Sequence, residues 1–145
     1  MTTVDGMFTG LVMGLAFSAP AFVAEALHHR KTVPLLVNVT TLWGAPVPGN
    51  EVLFASVALH LAMSVAYGGL YPVLLLLGIF PTITAVSILL YTIAFFLVVC
   101  CVVAPAMGLG FFGRREGRSV WIELGLTHAL YALAYGYAAT HFFVQ

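Results

Sequence analysis

Apolar residues run along this chain in four long blocks, at residues 7–27, 52–78, 82–108 and 119–143. Short stretches between them hold seven of the ten charged residues. Each block is long enough to cross a bilayer, which takes about 20 predominantly apolar residues. In lipid such a segment satisfies its own backbone only as a helix, whatever its content of β-branched residues. The pattern predicts an all-α integral membrane protein, a four-transmembrane-helix bundle forming one membrane domain over residues 1–145. The turn Gly78-Ile79-Phe80-Pro81 makes the second and third spans antiparallel neighbours. Pro20 and Pro105 are expected to kink the first and third.

Two polar interruptions of the blocks resemble each other. One is His60-Leu-Ala-Met-Ser-Val-Ala-Tyr67-Gly68; the other is His128-Ala-Leu-Tyr-Ala-Leu-Ala-Tyr135-Gly136. Sliding the second block by 68 positions also aligns Val52 with Val120 and Ala66 with Ala134. Ala19-Pro20-Ala21 and Ala104-Pro105-Ala106 match at an offset of 85. The expectation is a parallel duplication of a helical hairpin. Each His follows the approximate start of its span by nine residues (51 to 60, 119 to 128), about 13 Å along the helix axis. The two imidazoles are thus expected at one depth, with each Tyr two turns further on the same face.

Composition agrees with the pattern. Charged residues are 7% of the chain and hydrophobic ones 62%. A soluble domain carries about 25% charged residues, so this chain lacks the means to cover a water-facing surface. Zero net charge argues against a nucleic-acid surface. Cys100 and Cys101 are adjacent in an apolar run, which suits neither a disulfide framework nor a zinc site. Asp5 precedes the first block, with no Lys or Arg upstream, so that block is expected to be a retained span and not a cleaved signal peptide.

All five basic residues fall in two connections: Arg30 and Lys31 after the first span, Arg114, Arg115 and Arg118 after the third. The positive-inside rule puts both basic loops in the cytoplasm and both termini outside, and the expected location is a prokaryotic inner membrane. The 28–51 connection is long and semi-apolar, an expected interfacial or re-entrant segment with Trp43 at headgroup level.

An ionisable residue within a span is a candidate functional site. His60 and His128 are candidate axial ligands of one haem b, and thus its iron ligands, with Tyr67 and Tyr135 as candidate pocket residues. Ala58, Ala62, Gly125, Ala129 and Ala132 are expected to leave room for the macrocycle. Competing readings are a structural pair bonded across the bundle to each other, Ser64, Thr127 or a tyrosine, and a proton, ion or other metal site. Glu123, one turn inside the fourth span, and Glu25, near His28 and His29, are candidate members of a proton path. Tyr71 and Tyr137 are expected near the outer interface. A Cys-x-x-Cys-His haem attachment motif, a phosphate loop and a zincin motif are all missing from the sequence, so no catalytic residue is assigned.

Architecture and histidine placement together resemble the small four-helix subunits that anchor or accompany bacterial respiratory complexes, some of which hold bis-histidine haem b. That resemblance implies a small polytopic accessory subunit of an electron-transfer complex, with other membrane subunits and lipid as partners. The alternatives are a small proton, ion or solute transporter or channel using the buried histidines, and a purely structural membrane module.

Overall fold

The computed structural model describes residues 1–26 and 39–142, and within them the chain is mostly helical. The elements are α1 (Thr3–Ala26), a hairpin of β1 (Thr41–Leu42) and β2 (Ala45–Pro46), α2 (Val52–Leu76), α3 (Ala85–Ala106) and α4 (Val120–Phe142). Among the described residues two helices, α2 and α3, are long and apolar enough to cross a membrane. The other two have comparable lengths, 24 residues in α1 and 23 in α4.

Local chemistry sets the helix ends. Thr2 and Asp5 form a capping box that starts α1 a turn earlier than hydropathy indicates: Asp5 N–H donates to Thr2 Oγ1, and Thr2 N–H to Asp5 Oδ2. Thr84 and Ser87 form a second box, so α3 begins at Ala85 and the residues after Pro81 stay outside the helix. The third apolar block is not uniformly α-helical either. Val99–Val103 is a π turn, leading into Ala104–Ala106, where Pro105 lacks the N–H that an α ladder needs.

The closest helix pair is α1 with α2. A Cβ on Gly10 would stand 2.1 Å from the Ser64 carbonyl oxygen, and one on Gly68 would stand 2.0 Å from that of Gly6. Gly6-x₃-Gly10-x₃-Gly14 on α1 thus meets Ser64-x₃-Gly68 on α2, backbone against backbone, as small residues at i, i+4 spacing permit. No comparable approach exists in the second hairpin. At Gly136, the twin of Gly68, the nearest atom to a Cβ is Ile88 Cδ1 at 3.7 Å. The repeated sequence therefore does not give repeated packing.

Tyrosines join the remaining helices. Tyr67 Oη pairs with Thr92 Oγ1 and Tyr71 Oη with Ser87 Oγ, both at 2.7 Å, linking α2 to α3. Tyr91 donates back to the Tyr67 carbonyl. Tyr131 reaches Ser64, and Tyr135 donates to the Gly68 carbonyl at 2.9 Å, linking α4 to α2. Tyr67 sits at the centre, with the rings of Tyr91, Phe95, Tyr131 and Tyr135 at 4.9 to 5.5 Å. Tyr71 is fully buried in this cluster and is no interface anchor, while Tyr137 is 61% exposed.

The loops gather at two ends. Trp43 and Gly44 both have positive φ and form the two-residue turn of the β1–β2 hairpin, a turn that requires left-handed backbone at each central position. Trp43 is exposed at its tip, and its N–H bonds to the Met107 carbonyl at 2.8 Å. The Glu116 carboxylate accepts from the backbone and hydroxyl of both Thr40 and Thr41. Residues 39–51 and 107–119, with Arg114, Arg115 and Arg118, thus lie at one end. Met1, whose sulfur lies 3.7 Å from the Tyr135 hydroxyl oxygen, lies at the other. Residues 27–38, with His28, His29, Arg30 and Lys31, fall outside the described residues.

Candidate functional site

A cavity of about 100 Å³ lies between α2, α3 and α4, toward the end that holds the hairpin. Both candidate histidines line it. His60 enters from α2, eight residues past the helix start at Val52, and His128 from α4, eight residues past Val120. The remaining wall is mainly aliphatic and aromatic, with Ser64, Thr127 and Tyr131 as the polar groups nearest the imidazoles in sequence. Val39 and Leu109, both buried, border it on the loop side.

The two rings are held differently. His128 Nδ1 lies 2.7 Å from the Leu124 carbonyl oxygen, which accepts only, so Nδ1 carries the proton. That fixes Nε2 as the lone-pair nitrogen. It has no hydrogen-bond partner among the described residues. The rings of Phe95 and Phe96 flank His128 at centroid distances of 6.0 and 5.3 Å. His60 Nε2 stands 3.4 Å from the Tyr131 hydroxyl, a long contact at the edge of hydrogen bonding. Ser64 donates to the His60 carbonyl at 2.6 Å, so the Tyr131 proton goes to Ser64. Tyr131 oxygen is then the acceptor that His60 Nε2–H faces.

The structure separates several residues grouped by sequence. Tyr67 lines the cavity, but Tyr135 lies beneath it and is fully buried against Tyr67 and Tyr71. Ala58, Ala62 and Ala129 are exposed and make no room in the interior. The reason is helical phase: Ala58 and Ala62 are two residues either side of His60, roughly 200° around the helix. Glu123 stands near Ser119, whose hydroxyl donates to it at 3.4 Å, and no hydrogen bond links it to His128 or Arg118 among the described residues. Glu25 is in the last turn of α1, and its side chain lies outside the described residues.

Space decides what this site takes. About 100 Å³ is less than the roughly 150 Å³ apolar cavity that admits a benzene. No group of three or more His, Cys, Asp or Glu side chains placed to hold a metal occurs among the described residues. The site suits a few waters, a small molecule or a single ion.

Sequence reasoning passed over two groups that shape the site. Gly6, Gly10 and Gly14 position α2 and with it His60; their four-residue spacing was the available signal. Pro72 was the other, a helix-interior proline four residues after Gly68. Comparisons with protein-family models, curated proteins and solved structures find no match to this chain.

Proposed function

We propose that this protein is a small four-span membrane subunit or accessory protein, embedded with its basic connections in the cytoplasm, that keeps a small polar guest site at His60 and His128. One observation carries the membrane reading: large apolar side chains face outward while serines and threonines are among the buried residues. The buried polar side chains include Ser18, Ser56, Ser64, Ser87, Thr92 and Thr127, while Val4, Phe8, Phe54, Leu90 and Leu133 stand outward, 53 to 78% exposed. Water would penalise such a surface, and lipid would not. The described connections are short, leaving little mass outside the helices, so partners would have to be met through helix faces. Purification in mild detergent with co-purifying membrane subunits is the expected result. A stable free monomer at native expression levels would overturn the accessory reading.

The cavity itself favours a second reading, a small ion or solute transporter, because it puts two imidazoles on one interior space. Gradient-driven proton or cation flux into proteoliposomes that His128→Ala abolishes would establish that reading in place of the first.

A further inference from the structure

We infer that the cavity between α2, α3 and α4 is a binding site for a single Cu(I) ion, with His60, His128 and the thioether of Met63 as ligands. Three features of the cavity lead there. First, His128 is already arranged as a ligand: its Nδ1–H is spent on the Leu124 carbonyl at 2.7 Å, which leaves the Nε2 lone pair, on a side chain that lines the cavity, without a hydrogen-bond partner among the described residues. Metal-bound imidazoles are usually oriented by just such a bond from the other nitrogen.

Second, the donors are soft. Met63 lies one turn beyond His60 on α2 and lines the same cavity, and Met107 lines it from the end of α3. Thioethers and neutral imidazoles together select Cu(I) over hard cations such as Mg²⁺ or Ca²⁺, which take oxygen ligands. Third, no Asp or Glu lines the cavity among the described residues. A divalent ion held by neutral ligands would keep two uncompensated charges in an apolar wall, at a large desolvation cost, whereas Cu(I) keeps one. The long contact between His60 Nε2 and Tyr131 gives way readily: Tyr131 retains Ser64 when the imidazole turns to the ion. Neither cysteine lines this cavity.

The site is independent of which assembly the chain joins, so a failed co-purification leaves it standing. The test loads the full-length protein in detergent, without oxygen, from a coloured Cu(I)–chelator complex. One copper per chain is expected, with both nitrogen and sulfur scatterers in its X-ray absorption. Met63→Leu, which conserves volume, should remove the sulfur scatterer and weaken retention by about tenfold or more. His128→Ala should weaken it further, and Cys100→Ser with Cys101→Ser should change neither quantity. Copper lost with the cysteines, copper indifferent to Met63→Leu, or tighter binding of Zn²⁺ than of Cu(I) would each overturn the assignment. Because Met63→Leu keeps the core filled, a misfolded His128→Ala would not leave the question open.

Discussion

Tyr135 donates its hydroxyl proton to the carbonyl oxygen of Gly68 at 2.9 Å, and Gly68 is four residues before Pro72. In an uninterrupted helix that carbonyl would accept from the N–H of residue 72. Proline has none, so α2 carries an orphaned acceptor in its interior. A side chain from α4 takes the place of the missing backbone donor, one of the ways that prolines are tolerated inside membrane helices. Tyr91 donates to the adjacent carbonyl, that of Tyr67, from α3. The unpaired acceptor of α2 and its neighbour are thus where α3 and α4 are fastened.

Tyr135→Phe should therefore cost about 1–2 kcal/mol, the penalty of a buried polar group left unpaired. In a Pro72→Ala background the restored N–H supplies the Gly68 carbonyl, and the same change should cost much less. The coupling is read from unfolding midpoints of the four variants in mixed micelles. Equal costs in both backgrounds would show that Tyr135 stabilises by packing alone.

Gly68 and Gly136 occupy equivalent places in the repeated sequence and opposite places in the packing. A methyl group on Gly68 would collide with the Gly6 carbonyl oxygen, whereas one on Gly136 would meet only Ile88 at 3.7 Å. Gly68→Ala should separate α1 from α2 and destabilise by about 1–3 kcal/mol, typical of overpacking. Gly136→Ala should be neutral or stabilising, by up to about 1 kcal/mol, because alanine is the better helix former. Thermal unfolding in detergent distinguishes the two, and matched effects would mean that the hairpins pack alike after all.

This contrast also shows where so apolar a sequence is legible. Block lengths, approximate helix ends and the matched positions of His60 and His128, each eight residues past its helix start, follow from hydropathy and sequence alone. Facing does not. In a soluble helix an apolar stripe marks the interior, but here both the interior and the outer surface are apolar. Only small and polar residues carry that information. Gly6, Gly10 and Gly14 display it openly; Ala58 and Ala62 mislead because alanine suits either side. The fourfold grip on Glu116 depends on Thr40 and Thr41, 76 and 75 residues away, which no local pattern encodes.

The capping box at the start of α1 makes one end of the bundle sensitive to acid. The backbone N–H of Thr2, then its hydroxyl, hold the Asp5 carboxyl below the usual carboxylate range. A folded-state pKa below the unfolded one adds stability above the unfolded pKa, and that stability is lost as pH falls through the folded value. Amide exchange at Gly6 and its neighbours, corrected for intrinsic rates, should therefore speed up on acidification through the carboxylate range. Asp5→Asn should flatten this dependence. An acid-induced increase of the same size in that variant would place the sensitivity elsewhere.

Glu116 latches the hairpin over the loop-side end of the cavity. Its two oxygens take the amides of Thr40 and Thr41 at 3.2 and 3.1 Å and the Thr41 hydroxyl at 2.7 Å, with the Thr40 hydroxyl as fourth donor. Val39, the next residue back, borders the cavity, and its N–H is bonded to Ser56 at 2.8 Å. Glu116→Gln keeps one acceptor oxygen and replaces the other with a donor that faces the donors of one threonine. Glu116→Ala leaves all four donors to water. Each charge-assisted bond contributes about 1.5–3 kcal/mol when buried and less at this partly exposed position. The expected order is faster amide exchange at Thr40 and Thr41 in Glu116→Gln and faster still in Glu116→Ala, with Tyr67 and Gly68 in α2 unchanged. Protection lost equally across α2 would instead make Glu116 a determinant of the whole bundle, and unchanged exchange in both variants would mean that Trp43 N–H on the Met107 carbonyl suffices to hold the hairpin.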